Sequence, residues 1–199
     1  MGFTIGAGLL MPAFAFVVTV PAGTRLLYMQ VGDGGITTPI QSGGTYKSGG
    51  SIYVVSGTVP SGSVGNSVAV PMVADKSHIN SGWDNYAFCV NSPREVHLAA
   101  AYRVPAGATS TATLQVNTPT NLTNGTATIP FSQISWVNSG AGDTTFGLAN
   151  GAFTGGTQTL RSIASRQWVE TCLTFSYANQ AMVGAGTFTG RATYTLSAP

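Results

Sequence analysis

The sequence predicts an all-β protein, an antiparallel β-sandwich or jelly roll of roughly ten strands carrying one disulfide. Three observations lead there. Apolar residues recur with a period of two in short runs bounded by Gly, Pro, Asn and Ser, the pattern of half-buried strands between turns, and no helical period persists. The composition, with 43% hydrophobic residues, 26 Gly and only 7% charged against the roughly 25% usual for soluble domains, describes a packed chain that is neither disordered nor collagen-like. The cysteines number two, Cys89 and Cys172, an even count that in an exported protein favours a bridge.

Taken in order, the chain opens on an apolar stretch, Phe3 to Phe16, which ends in Ala13-Phe14-Ala15 after the helix-breaking Pro12. The stretch is too short to span a bilayer and its small residues fit signal-peptidase pockets, so residues 1–15 read as a signal peptide and 16–199 as one β-sandwich domain. Met1-Gly2-Phe3-Thr4 lacks the basic residues of such a leader, which leaves a buried first strand or helix as the alternative. Strands are then expected at 16–20, 24–31, 51–55, 67–73, 96–104, 111–116, 127–131, 134–137, 157–163, 168–177 and 187–196. Val96, Leu98, Ala100, Tyr102 and Val104 form one face of their strand, with His97, Ala99, Ala101 and Arg103 on the other. Val169, Thr171, Leu173, Phe175 and Tyr177 share a face, as do Phe188, Ala192, Tyr194 and Leu196. Val-Pro-x-Gly recurs at Val20, Val59 and Val104 with unmatched flanks, which is reused turn chemistry rather than a duplicated domain.

The charges exclude several functions. Eight basic residues are scattered singly and the net charge is +2, which gives no footprint for nucleic acid. No other segment approaches 18 apolar residues, so no membrane insertion is expected. Pro60-Ser61-Gly62-Ser63-Val64-Gly65 lacks the first Gly of a nucleophile elbow, and Gly43-Gly44-Thr45-Tyr46-Lys47-Ser48 has Tyr46 where a phosphate loop needs Gly. His78 and His97 lack zincin spacing, and His97 reads as a solvated or cross-strand partner. Of the six carboxylates, Asp33, Asp84 and Asp143 sit in turn-like surroundings, and Glu95 and Glu170 are expected to pair with Arg. No catalytic set, metal site or cofactor is therefore expected, and the role reads as non-enzymatic.

One loop is richer in recognition chemistry. Ser81 to Cys89 places Trp83, Asp84, Asn85 and Tyr86 together, aromatic faces beside hydrogen-bonding side chains, which suits a glycan. The competing reading has Trp83 packed against the bridge, and Trp136 reads as core.

The closing run Gly186-Thr187-Phe188-Thr189-Gly190-Arg191-Ala192-Thr193-Tyr194-Thr195-Leu196 resembles the last strand of secreted bacterial pilin-like and spore-coat-U-like subunits over about a dozen residues. The resemblance implies a secreted structural subunit at the cell surface, filament or matrix, that associates with itself or with other surface proteins. In that setting Phe16, Val18 and Val20 are candidates either for an internal strand or for one donated to a neighbour.

Overall fold

A computed structural model of the protein describes residues 19–34, 50–90, 95–141 and 147–199. Thirteen strands occur among them: β1 (Leu26–Val31), β2 (Val55–Ser56), β3 (Val70–Pro71), β4 (Val73–Ala74), β5 (Glu95–Arg103), β6 (Thr111–Thr118), β7 (Asn121–Asn124), β8 (Ala127–Pro130), β9 (Ile134–Ser139), β10 (Gly151–Ala152), β11 (Gly156–Ala164), β12 (Gln167–Tyr177) and β13 (Thr193–Ser197). The larger sheet runs β1-β5-β12-β9-β10 with β3 also on β12, and the smaller runs β11-β6-β13. β2 with β4 and β7 with β8 make two-stranded ribbons, and all these pairings are antiparallel.

The two larger sheets share one apolar core. Leu98, Ala100 and Tyr102 of β5 and Val169, Leu173 and Phe175 of β12 belong to the same buried cluster as Ala112, Leu114 and Val116 of β6 and Ile163 of β11. In β6 the alternation is clean: Ala112, Leu114 and Val116 are buried, whereas Thr113, Gln115 and Asn117 are not. This is the period-two rule acting on a sheet with one dry and one wet face. β5 behaves differently, since Glu95 through Tyr102 are all buried. The second face of the larger sheet is therefore covered as well, and its cover is the segment 75–90, joined to β12 by the Cys89–Cys172 disulfide with a Cα–Cα separation of 5.5 Å. The all-β class, the antiparallel pairing and the bridge agree with the sequence.

Several element boundaries differ from expectation. The strand expected over 51–55 reduces to β2, and that over 67–73 to β3 and β4, each two residues long. The run expected over 187–196 pairs with β6 only from Thr193, because Thr189 bridges Thr123 on the β7 ribbon instead. Between the two, Gly190 passes so close to Leu122 and Phe131 that a Cβ there would lie 2.7 Å from both side chains. β7 and β10 are additional to the strands expected. At the amino-terminal side, Thr19 bridges Gln167, and the Val20 N–H donates to the Arg166 carbonyl at 2.8 Å. Val20 is buried against Tyr28, Ala99, Ala101 and Trp168, so it fills a core of its own chain. Phe16, Val18 and the rest of residues 1–18 lie outside the described residues, as do Gly43 to Ser48 and Asp143.

Candidate functional site

The outer face of the larger sheet is set by register. Tyr28 and Gln30 of β1 stand opposite Ala101 and Ala99 of β5, and these stand opposite Trp168 and Glu170 of β12. Glu95 and His97 continue this face along β5, and Cys172 continues it along β12. The two small alanines leave room for a covering segment, and 75–90 fills it with His78, Ser81, Trp83 and Phe88.

The polar groups under this cover form a chain of hydrogen bonds. The Ser81 hydroxyl donates to Glu170 Oε1 at 2.7 Å, and the Trp83 N–H donates to Ser81 Oγ at 3.1 Å. Glu170 Oε2 lies 3.2 Å from His97 Nε2, in a pair whose imidazole is fully buried. Beside it, the Gln30 amide nitrogen donates to the Gly32 carbonyl at 3.0 Å and contacts His78 Nε2 at 3.1 Å, while the Tyr28 hydroxyl donates to Gln30 Oε1. The His78 and His97 rings are 5.1 Å apart. Burial, followed by the neighbouring His97, holds the His78 pKa below its ordinary value, consistent with a neutral ring that accepts from Gln30. Glu95 accepts from the Ser139 hydroxyl, and its carboxylate lies within 4.8 Å of both Cys89 and Cys172 sulfurs.

The order of these groups decides their chemistry. A nucleophilic relay needs the imidazole between hydroxyl and carboxylate, so that the base can take the hydroxyl proton. Here the carboxylate stands in the middle, and the Ser81 proton is directed at Glu170. The cluster is also sealed from substrate by the loop. An open depression of about 470 Å³ lies elsewhere, between the turns at 107–109 and 164–167, and its lining includes Thr19, Ala108 and Arg166 but none of the cluster.

The four residues expected to form a glycan surface do not act together. Trp83 tilts onto Trp168 with centroids 5.8 Å apart, and Trp168 in turn stacks on Tyr28 at 4.9 Å. Trp83 thus packs inward, although the side chain against the bridge is Phe88. Asp84 Oδ1 accepts the Tyr86 N–H at 2.9 Å, a turn-stabilising contact. Asn85 has φ +66° and accepts from Asn80 at 3.0 Å. Asn85 and Tyr86 are exposed, the Tyr86 side chain at 57%.

Other expectations resolve similarly. Asp33 accepts the Ser51 N–H at 2.9 Å, and Asp75 accepts the Val54 N–H at 2.9 Å. Trp136 is core, its indole N–H on the Ala149 carbonyl at 2.9 Å. Glu170 meets His97 and Ser81 rather than the expected arginine, and His97 is a cross-strand partner but not a solvated one. The reason is the cover, which turns a nominally polar face into a second interior where partners must be short and local.

The outer face of the smaller sheet shows the opposite character. Thr157, Asn117 and Thr193 align across β11, β6 and β13, followed by Thr159, Gln115 and Thr195, then Ser162, Thr113 and Ser197. These nine side chains are polar and uncharged. Asn117 donates to Thr157 at 2.8 Å and Gln115 to Thr159 at 3.3 Å, which holds the amides within the array. Among the described residues, β11 and β13 each pair on one side only. Comparison with known protein families, curated proteins and solved structures finds no match.

Proposed function

We propose that the protein is a secreted, non-enzymatic structural or surface-associated subunit, pilus-like or of an extracellular matrix, that associates with further copies of itself. The observation that carries this reading is the neutral three-by-three array on the smaller sheet, whose bounding strands β11 and β13 each pair on one side only among the described residues. Two such surfaces meet without like-charge repulsion, and open edges offer backbone hydrogen bonds to a neighbouring chain. The sealed Ser81-Glu170-His97 order supports the absence of hydrolytic chemistry at that place, and the disulfide suits an oxidising compartment. The resemblance of the terminal strand to pilin-like and spore-coat-U-like subunits points the same way.

Electron microscopy of the native material, with light scattering on the purified chain, tests the proposal. Filaments, sheets or defined multimers are expected; a monodisperse monomer at high concentration would overturn it. A second reading rests on Tyr86, an exposed ring that follows Asn85 of the Asn80–Asn85 amide pair in the chain, and makes the loop a glycan contact of an adhesive module. Retention on immobilised polysaccharide that is lost in Tyr86→Ala, with multimers unaffected, would favour it.

A further inference from the structure

The side chain of Gln30 dictates the protonation of His78. Buried on β1, its amide nitrogen donates to the Gly32 carbonyl at 3.0 Å and faces His78 Nε2 at 3.1 Å. A carbonyl only accepts, so the amide cannot turn over without setting its own oxygen against that of Gly32. His78 Nε2 must therefore present a lone pair, which only the neutral ring has there. A proton on that atom would set an N–H against an NH2 group, two donors with nothing to accept, beside the His97 ring 5.1 Å away. His78 belongs to the covering segment, whereas Gln30 and His97 belong to the sheet. The mismatch would thus arise at the seam that holds the cover down.

The cover is arranged to lift between fixed ends. The Phe88 and Cys89 N–H groups donate to the Ile79 carbonyl at 2.9 and 2.8 Å and Asn80 bridges Ala87, so residues 79–89 form a hairpin whose own backbone bonds do not involve the sheet. Cys89 is tied by the disulfide, and Asp75 is anchored on Val54. Closure also leaves His97 Nδ1 and Trp168 Nε1 buried with no hydrogen-bond partner among the described residues, and lifting would give both to water. We propose that residues 77–88 are an acid-opened flap, which stays shut while His78 is neutral, lifts when His78 takes up a proton, and uncovers Tyr28, Trp168 and Glu170 on the sheet beneath. The groups around His78 set where this happens. Burial, then His97 of β5, hold its pKa below the ordinary 6.5; the Asn80 backbone, Asp33 after β1 and Glu170 of β12 pull the other way and more weakly. The remaining groups are engaged elsewhere: Tyr28 with Gln30, Glu95 with Ser139, Asp75 and Lys76 with Val54 and Ile52, and Asp84 with the Tyr86 N–H. In the lifted form the ring has its ordinary value and holds the proton more tightly. Closure is therefore fully favoured above pH 6.5, weakens below it by up to about tenfold per pH unit, and levels off below the lower value of the closed form. The flap acts within one chain and stands whether or not copies associate.

The test is hydroxyl-radical footprinting of the full, disulfide-bonded chain from about pH 8 to about pH 5, read residue by residue by mass spectrometry. Labelling of Tyr28 and Trp168 is expected to rise as pH falls below 6.5, by up to about tenfold per unit, while Trp136 in the core between the sheets keeps its protection. His78→Gln can still accept from Gln30 but takes up no proton, so its labelling should be the same at every pH. Flat labelling in the parent would overturn the proposal. So would a rise shared equally by Trp136, which is global unfolding, or a rise that His78→Gln retains in full. Should that variant fail to fold, NMR titration of the His78 ring in the parent decides: a midpoint that coincides with the labelling transition supports the flap, and a ring that does not titrate where labelling rises refutes it.

Discussion

Replacing both Cys89 and Cys172 by alanine removes the fastening of the covering loop, and the structure sets the size of the effect. The bridge spans 83 positions, and closing a loop of that length in the unfolded chain corresponds to about 4.5 kcal/mol in the chain-entropy model. Against a total stability of roughly 5–15 kcal/mol for a typical domain, that loss is about 30% or more. It should not be uniform. Without the bridge, the loop is held to the sheet by the Ser81–Glu170 bond, the Gln30–His78 contact, Trp83 on Trp168 and the Ala141 N–H donating to the Phe88 carbonyl at 3.0 Å. Local opening of 75–90 is therefore expected before global unfolding. Urea unfolding followed by tryptophan fluorescence gives the global loss, and limited trypsin cleavage after Lys76 reports the opening. A variant within about 1 kcal/mol of the parent, with Lys76 equally protected, would refute the idea that the bridge fastens the cover.

Glu170→Gln removes the charge that Ser81 and His97 share, and should lower stability by about 3 kcal/mol in urea unfolding; a change below about 1 kcal/mol would mean that the pair is dispensable. Gly32 has φ +65° and a Cβ there would lie 2.2 Å from the Tyr53 ring, so Gly32→Ala should lose roughly 1–3 kcal/mol in the same measurement. The Asp33 carboxyl is held below its ordinary pKa first by the Ser51 hydroxyl bond; the stability this gives is present above the unfolded pKa of 3.8 and is lost as pH falls through the lower folded value. Acid titration of the parent should therefore show a small loss below pH 3.8 that Ser51→Ala reduces, checked by thermal melts between neutral and acid pH.

The parts of the fold that follow from one-sided burial could be read from sequence. In β6 and β13 the inward residues Leu114, Val116, Tyr194 and Leu196 alternate with Thr, Gln and Asn, and period two suffices. The covered sheet could not be read so directly, because alternation names a polar face without saying whether water or another segment lies against it. His97 therefore looked solvated and Glu170 looked free for arginine. A signal was present in Ala99 and Ala101, small apolar residues on the same face as His97, where a solvated strand would carry larger polar ones. The loop misled through composition: Trp83, Asp84, Asn85 and Tyr86 are contiguous, yet their directions separate into one inward ring, one turn contact, one amide pair and one exposed ring. The grouping of Glu95 with the disulfide was invisible for a different reason, since the carboxylate comes within 4.8 Å of the sulfurs only after β5 and β12 are adjacent.

The way this chain uses its few charges bears on how copies would associate. Glu95 and Glu170 are buried, and Asp33, Asp75 and Asp84 accept backbone N–H groups. Arg25, Arg103, Arg161 and Arg166 donate to carbonyls of Pro199, Thr24, Gly147 and Val20. Among the described residues, ionic groups thus serve mainly as intramolecular hydrogen-bonding partners, and the array on the smaller sheet has none. If copies meet through that array, association should be indifferent to ionic strength, because screening acts on charges and the Debye length falls from about 30 Å at 0.01 M to about 3 Å at 1 M. Sedimentation velocity at those two salt concentrations should give the same distribution of multimers. Gln115, in the middle row of the middle strand, is the most sensitive position. Gln115→Glu places a charge in the array of each copy, so low salt should favour monomers and high salt should restore multimers. Parent multimers that dissociate in high salt, or a Gln115→Glu variant that associates as the parent does, would show that the contact lies on another surface.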